Sequence, residues 1–286
     1  MSSRVPSSVD PLETMPVSPH ARLTRRALWL LALAILGFLY LPITFMVLLS
    51  FNDSRIVGLP FLGFTLDWYE HALTNRLLLG AVWNTVWVAA GVAILATVFG
   101  TMAAFVLVRG RIRYAGAARV VATMPIMFPG MLLGIGILIF LRRILDLELS
   151  LLTVVAGHLV FTTPFVILIV AARLQSFDRN LEWAAADLGA APRSTIRYII
   201  LPLIWPAILA GGLISVTLSV DEFIITFFTV GPQMTLPIYI YTQIKFGVTP
   251  EVNAIATLFL VTMLALLVVA LLTSAARRRL GEARVR

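Results

Sequence analysis

Between Ala27 and Phe51 the chain runs for 25 residues without a charged side chain. About 20 apolar residues of helix cross the hydrocarbon core of a bilayer. Runs of similar character recur at 79–108, 117–141, 151–172, 201–229 and 252–275, which predicts six transmembrane helices. In lipid every backbone N–H and C=O must find its partner within the protein, so repeated spans of this kind can only fold as a helical bundle. Composition agrees: 60% of residues are hydrophobic and 13% charged, against roughly 45–50% and 25% in soluble domains. The first run is too long for a signal peptide, and "LYLPITFMVLLSF" lacks a small-residue cleavage site. There are no cysteines, which excludes disulfides and Cys-ligated metal sites.

The basic residues orient the bundle. Seventeen of the 22 Lys and Arg residues fall in the N-tail, the 109–119 loop, the 173–200 loop and the C-tail. By the positive-inside rule these segments, and so both termini, are cytoplasmic. An even number of spans agrees, since it places both termini on one side. The expected organisation is a disordered cytoplasmic tail over 1–24, rich in Ser and Pro, a six-helix membrane domain over 25–276, and a basic cytoplasmic tail over 277–286. The net charge of +8 is then an orientation signal. A nucleic-acid surface is disfavoured, because the Arg clusters flank spans and lack interleaved aromatics. The external 52–78 loop is long and carries Trp68 and Tyr69.

The fifth run contains "LISVTLSVDEFIITFFTV", which places Asp221 and Glu222 side by side in an apolar setting. Ionisable residues in a span face a bundle interior or a wet path. Ser215, Ser219, Glu222, Thr226 and Thr229 recur at helical spacing and predict one continuous polar stripe. Asp221 falls about 100° from Glu222, above Thr217. Counted back from the Gly231-Pro232 turn, the acids lie about 12–15 Å below the outer end of the helix. Three readings are open: a pathway for positive cargo, a structural pair binding donors on a neighbouring helix, and an intramembrane catalytic acid. The last needs a second acid, and no other expected span contains one.

"NLEWAAADLGAAPRSTIRYIILPLIWP" lies in the cytoplasmic 173–200 loop and the start of the next run. Leu181 to Leu188 are helix formers, Gly189 can end that helix, and Pro192 can open another. Pro202 and Pro206 are positioned to kink the following span. A short helix, a glycine corner and a second helix are expected outside the membrane.

This stretch resembles the EAA motif of ABC importer permeases: E-A-A, three residues, G, nine residues, I-x-L-P. Ala184, Ala185, Gly189, Ile199, Leu201 and Pro202 fall at matching places, while Trp183 occupies the position of the motif Glu and Glu182 precedes it. "LSVDEFIITFFTVGPQMTLPIYIYTQIKFGVTPEVNAIAT" is similar to the corresponding segment of spermidine/putrescine importer permeases of the C type. The resemblance implies a six-span type I importer permease of the bacterial cytoplasmic membrane. It implies a coupling loop (Glu182, Trp183, Ala184, Ala185, Asp187, Gly189, Ala190) docking on a separate ATPase. It also implies a cargo path for polyamines, with Asp221, Glu222, Ser219, Thr226, Tyr239 and Tyr241 as candidates and Phe223 and Phe227 as weaker ones. The implied partners are a second, non-identical permease, two ATP-binding subunits and an external binding protein. ATP and Mg would sit on the ATPase, because this chain has no G-x-x-x-x-G-K-[ST] loop. No cofactor, metal or catalytic residue is expected on the chain itself.

Other polar or small residues have plainer roles. Gly130 and Gly134 form a small-xxx-small pair suited to helix packing. His158 stands alone in its span and suits polar packing. The Met124-Pro125 and Phe128-Pro129 steps kink the third run. The alternatives are a permease for an opine, an aminoalkylphosphonate or ferric iron, or a membrane scaffold or intramembrane enzyme that needs no ATPase.

Overall fold

The computed structural model describes residues 19–55, 57–110, 113–246 and 250–262, together with 264, 265 and 268. Two units divide the chain: 1–69 with 250–286, and 70–249.

In the first unit, helix α1 (Pro19–Leu49) starts earlier than the sequence predicts. A further helix spans Pro250–Thr262. After α1 the chain folds round Asn52. Its Nδ2 donates to the Gly58 carbonyl (3.2 Å), its Oδ1 accepts from the Leu62 N–H (2.8 Å), and its carbonyl accepts the Trp68 indole N–H (2.9 Å). Phe51 and Phe64 stack at 5.0 Å. One polar side chain thus satisfies backbone groups that a loop would otherwise leave open. Helix α2 (Asp67–Thr74) then leads into the second unit.

Three long helices form the core of the second unit. These are α3 (Arg76–Arg109), α6 (Leu151–Ser176) and α9 (Leu201–Asp221). Between α3 and α6 lie α4 (Ala115–Thr123) and α5 (Gly130–Ile139). Between α6 and α9 lie α7 (Asn180–Asp187) and α8 (Pro192–Thr195). Val88, Val92 and Ala96 of α3, Val154, Val166 and Val170 of α6, and Ile204 and Ile208 of α9 bury one another. Small residues allow the close approach. A Cβ at Gly100 would lie 2.6 Å from Val166 Cβ, and one at Gly211 would lie 3.1 Å from Val166 Cγ1. That is the packing used where lipid supplies no hydrophobic drive.

Several expectations need correction. Among the described residues four helices are long and apolar enough to cross a membrane: Thr24–Leu49, Arg76–Arg109, Leu151–Ser176 and Pro192–Asp221. The third run is sharply bent. Ala115–Met127 and Gly130–Ile144 meet at 103°, because Pro125 and Pro129 remove backbone donors at successive turns. Counted as one span, that pair would make five. The sixth expected span, 252–275, is described mainly in its first half, and residues 1–18 and the 277–286 tail lie outside the described residues. The fifth run ends as α9 at Asp221 and resumes as α10 (Ile224–Thr229), followed by α11 (Leu236–Phe246). The kink expected at Pro202 takes the form of a π-helical turn over Ile196–Ile200. Pro202 has no N–H for the Tyr198 carbonyl, and the widened turn absorbs the loss.

Candidate functional site

The break at Glu222 decides how the acid pair is presented. Glu222 has ψ 99, outside the helical region, so the backbone groups around it lose their helical partners. An unpaired backbone group at membrane depth costs several kcal/mol by order of magnitude. Here side chains meet some of them. Glu222 Oε1 accepts from the Ile225 N–H (2.9 Å), so the carboxylate caps α10. Thr226 Oγ1 donates to the Glu222 carbonyl (2.6 Å). At the far end of α10, Thr153 Oγ1 of α6 lies 2.8 Å from the Thr229 carbonyl and 2.7 Å from the Ser150 carbonyl, and its one hydrogen serves one of them.

The predicted stripe is therefore interrupted, and its parts face different surroundings. Ser215, Ser219, Thr226 and Thr229 are buried. Ser219 Oγ lies 2.9 Å from His158 Nδ1, and Thr226 Oγ1 lies 2.8 Å from His158 Nε2. His158 of α6 thus bridges the two sides of the break. Ser219 and Thr226 turn into the protein, not onto an open face. Asp221 is exposed on the same row as exposed Thr217, and Glu222 is half-buried. A narrow crevice beside the break, too tight to hold a water, is lined by His158, Ser219, Glu222, Thr226, Thr85 and Pro237.

Helix α10 is wedged in place by glycines. A Cβ at Gly134 would lie 2.7 Å from Phe228, and one at Gly157 would lie 2.8 Å from Ile225 Cγ2. Gly130, the other half of the small-residue pair, faces Ile224. Beyond α10, Gly231 adopts φ +67, and a Cβ there would overlap the Leu149 carbonyl. The turn is tied to α3: Asn84 Nδ2 donates to the Met234 carbonyl (2.8 Å), and Thr85 Oγ1 accepts from the Leu236 N–H (2.7 Å).

The aromatic candidates separate in the same way. Tyr241 packs its ring 5.0 Å from Phe223 and 5.9 Å from Phe227, and Tyr241 and Phe227 are exposed. Tyr239 is buried, and its hydroxyl accepts from Asn75 Nδ2 (3.0 Å) and Gln243 Nε2 (3.2 Å). The geometry brings together two acids at a helix break and a three-ring cluster, with Tyr239 set behind them as a tether.

On the other candidate surface, α7 ends as its sequence dictates. Gly189 takes φ +78. The Ala190 N–H reaches the Ala185 carbonyl and the Gly189 N–H the Ala186 carbonyl, both at 2.9 Å, which is a Schellman C-cap. Trp183 is 60% exposed and Leu188 88% exposed. Ala184, Asp187 and Ala190 lie at or near this surface, and Ala185 is buried. Glu182 turns the other way. Its Oε1 lies 2.6 Å from Arg109 Nη2 at the end of α3, and the Arg109 guanidinium sits 6.0 Å from the Phe177 ring centre. Arg109 escaped the sequence reading because it counts there only as an orientation charge. The bridging role of His158 escaped it because its partners lie 61 and 68 residues away.

Residues 96–284 match the family of binding-protein-dependent transport system inner membrane components. The chain belongs to that family. It is 38% identical over 236 residues to the spermidine/putrescine transport system permease protein PotC of Escherichia coli (strain K12), covering 82% of this chain and 89% of that protein. It is 36% identical over 244 residues to the putrescine transport system permease protein PotI of the same organism, covering 82% and 86%. Among solved structures it matches a bacterial ABC transporter involved in the import of the acidic polysaccharide alginate, with TM-score 0.73 at 17% identity over 90% of this chain and 98% of that one. It also matches an inward-facing form of the MetNI methionine ABC transporter, with TM-score 0.58 at 21% identity over 68% and 92%. The fold is that of ABC importer permeases, and the chain is a permease subunit of an ABC importer. As an inner-membrane component of a binding-protein-dependent transport system, it works with a binding protein.

Proposed function

We propose that this permease carries polyamines such as spermidine or putrescine inward, and that the helix break presents Asp221 and Glu222 to the passing cargo. The observation that carries the reading is the exposed acid at the break, followed in the chain by the Phe223, Phe227 and Tyr241 cluster. A polyamine sheds water from several ammonium groups. Carboxylates offset that cost by charge, and aromatic faces add roughly 0.5–2 kcal/mol per cation contact. The names of the relatives at 36–38% identity point to the same cargo. In this reading Asp221, Glu222 and Tyr241 meet cargo, while Ser219, Thr226 and Tyr239 hold them in position.

The full assembly we envisage has six spans in this chain, both termini cytoplasmic, and a second, non-identical permease across the passage. Two ATP-binding subunits hold ATP and Mg, and the chain itself carries no cofactor. The α7 corner couples to the ATPase through Trp183, Leu188 and the Gly189 turn, with Trp183 as an apolar knob. Glu182 fastens α7 to α3, so that a push on the corner reaches the core helix.

The test is ATP-driven uptake of labelled spermidine by proteoliposomes holding the whole assembly. Asp221→Asn with Glu222→Gln should lower uptake by about tenfold at low substrate, the equivalent of about 1.4 kcal/mol, with the assembly intact. Unchanged uptake would leave the acids a structural role only.

A further inference from the structure

We propose that His158 is a positioning residue whose ring is held in one tautomer and sets the break that presents the acid pair. The hydrogens can be assigned by elimination. Thr226 Oγ1 has one hydrogen, and the Glu222 carbonyl at 2.6 Å can only accept it. The contact from Thr226 Oγ1 to His158 Nε2 at 2.8 Å must therefore be donated by the ring, so Nε2 carries a hydrogen. In the neutral ring Nδ1 is then the acceptor, and the Ser219 hydroxyl donates to it across 2.9 Å.

The result is a one-way chain: Ser219 O–H to Nδ1, Nε2–H to Thr226 Oγ1, Thr226 O–H to the Glu222 carbonyl. It starts on α9, passes through α6 and ends on the backbone of the break. His158 is 1% exposed, and Ser219 and Thr226 are 3% and 0% exposed. The α6 backbone that carries the ring is packed closely: Thr162 Oγ1 donates to the His158 carbonyl (2.8 Å), and Gly157 beside it abuts Ile225. Without the ring's hydrogen the Thr226 hydroxyl is no longer pinned in its rotamer; once it turns away, the Glu222 carbonyl is free to re-form a helical bond. The break would then anneal and carry Asp221 round the helix. A packing histidine would need neither both nitrogens nor this direction.

This inference rests on the pathway reading for its transport readout, so the experiment has a second arm that does not. With this chain labelled at histidine nitrogen in the assembled transporter, and His20 and His71 replaced by Gln, the nitrogen spectrum of His158 should show Nε2 protonated and Nδ1 bare. The opposite tautomer would overturn the proposal whatever the cargo. In proteoliposomes, His158→Gln keeps a donor near the Nε2 position. It should hold the KM for spermidine within about threefold, whereas His158→Leu should raise it about tenfold with kcat and assembly little changed. Equal KM values for Gln and Leu would overturn it. If the His158 variants fail to assemble, Thr226→Val and Thr226→Ser replace them. Val should raise KM and Ser restore it, and a wild-type KM in Thr226→Val would sink the idea. Should the tautomer be confirmed while Asp221→Asn with Glu222→Gln changes nothing, the pathway reading fails and the strut remains.

Discussion

Two helices in this permease stop short, and they stop in different ways. Helix α7 ends at Gly189 by local means: a left-handed glycine and two backbone bonds to residues three and five positions back. Helix α9 ends at Asp221 by remote means. The Glu222 carboxylate caps α10, Thr226 caps the Glu222 carbonyl, and His158 of α6 bridges the two sides of the break. The first stop lies in a segment read as cytoplasmic, where water can satisfy any group left over. The second lies in a run read as membrane-embedded, where nothing else can. An interruption in lipid has to be built by several elements at once, and a chain keeps such a structure where backbone or charge must face a path.

Sequence reading fared differently at the two places for the same reason. The Gly189 corner and the Pro192 start follow from the residues themselves, as does the Gly231 turn. The long apolar runs gave α3 and α6 to within a few residues, whereas α1 and the Pro192–Asp221 helix start eight and nine residues before the runs that predicted them. The break at Glu222 left no local mark. Helical spacing of Ser215, Ser219, Glu222, Thr226 and Thr229 made the stripe look continuous, although four of the five turn inward. The 103° bend had a visible cause in Pro125 and Pro129, but its size depends on packing that periodicity does not carry. The Arg109–Glu182 pair joins residues 73 positions apart and is invisible to spacing rules.

The contrast can be broken most forcefully at Gly157. Valine there would drive its side chain into Ile225, which a Cβ alone already approaches to 2.8 Å. Overpacking of this kind costs about 1–3 kcal/mol, and the upper end is expected because α10 is held on two sides. The melting temperature of the purified assembly should fall, and spermidine uptake with it. An unchanged melting temperature would mean that α10 is not wedged.

A smaller effect is expected at the Arg109–Glu182 pair, whose side chains are 15% and 21% exposed. Removing either partner leaves a shielded charge. Arg109→Ala and Glu182→Ala should each cost more than half of the double variant, with a coupling energy on the order of 1 kcal/mol in a double-mutant cycle. Purely additive effects would mean that the pair does not anchor α7.

The smallest effect is expected at Gly189. Nothing lies within 4 Å of a Cβ built there, so Gly189→Ala meets only the strain of a left-handed residue, about 1 kcal/mol. ATP-driven uptake should persist in that variant. In Gly189→Arg, with a similar fold cost, uptake should be lost, because the large side chain stands on the docking surface. Equal uptake in the two would remove the coupling role of the corner.

The most direct test of an open acid beside a closed hydroxyl uses the absence of cysteine from this chain. Asp221→Cys and Ser219→Cys each introduce a single thiol, two residues apart, which a small ammonium-bearing thiol reagent can probe in the assembled transporter. Asp221→Cys should react and spermidine should slow the reaction, while Ser219→Cys should stay unreactive. An inert thiol at 221, or one whose rate spermidine leaves unchanged, would contradict a cargo path that opens at the break.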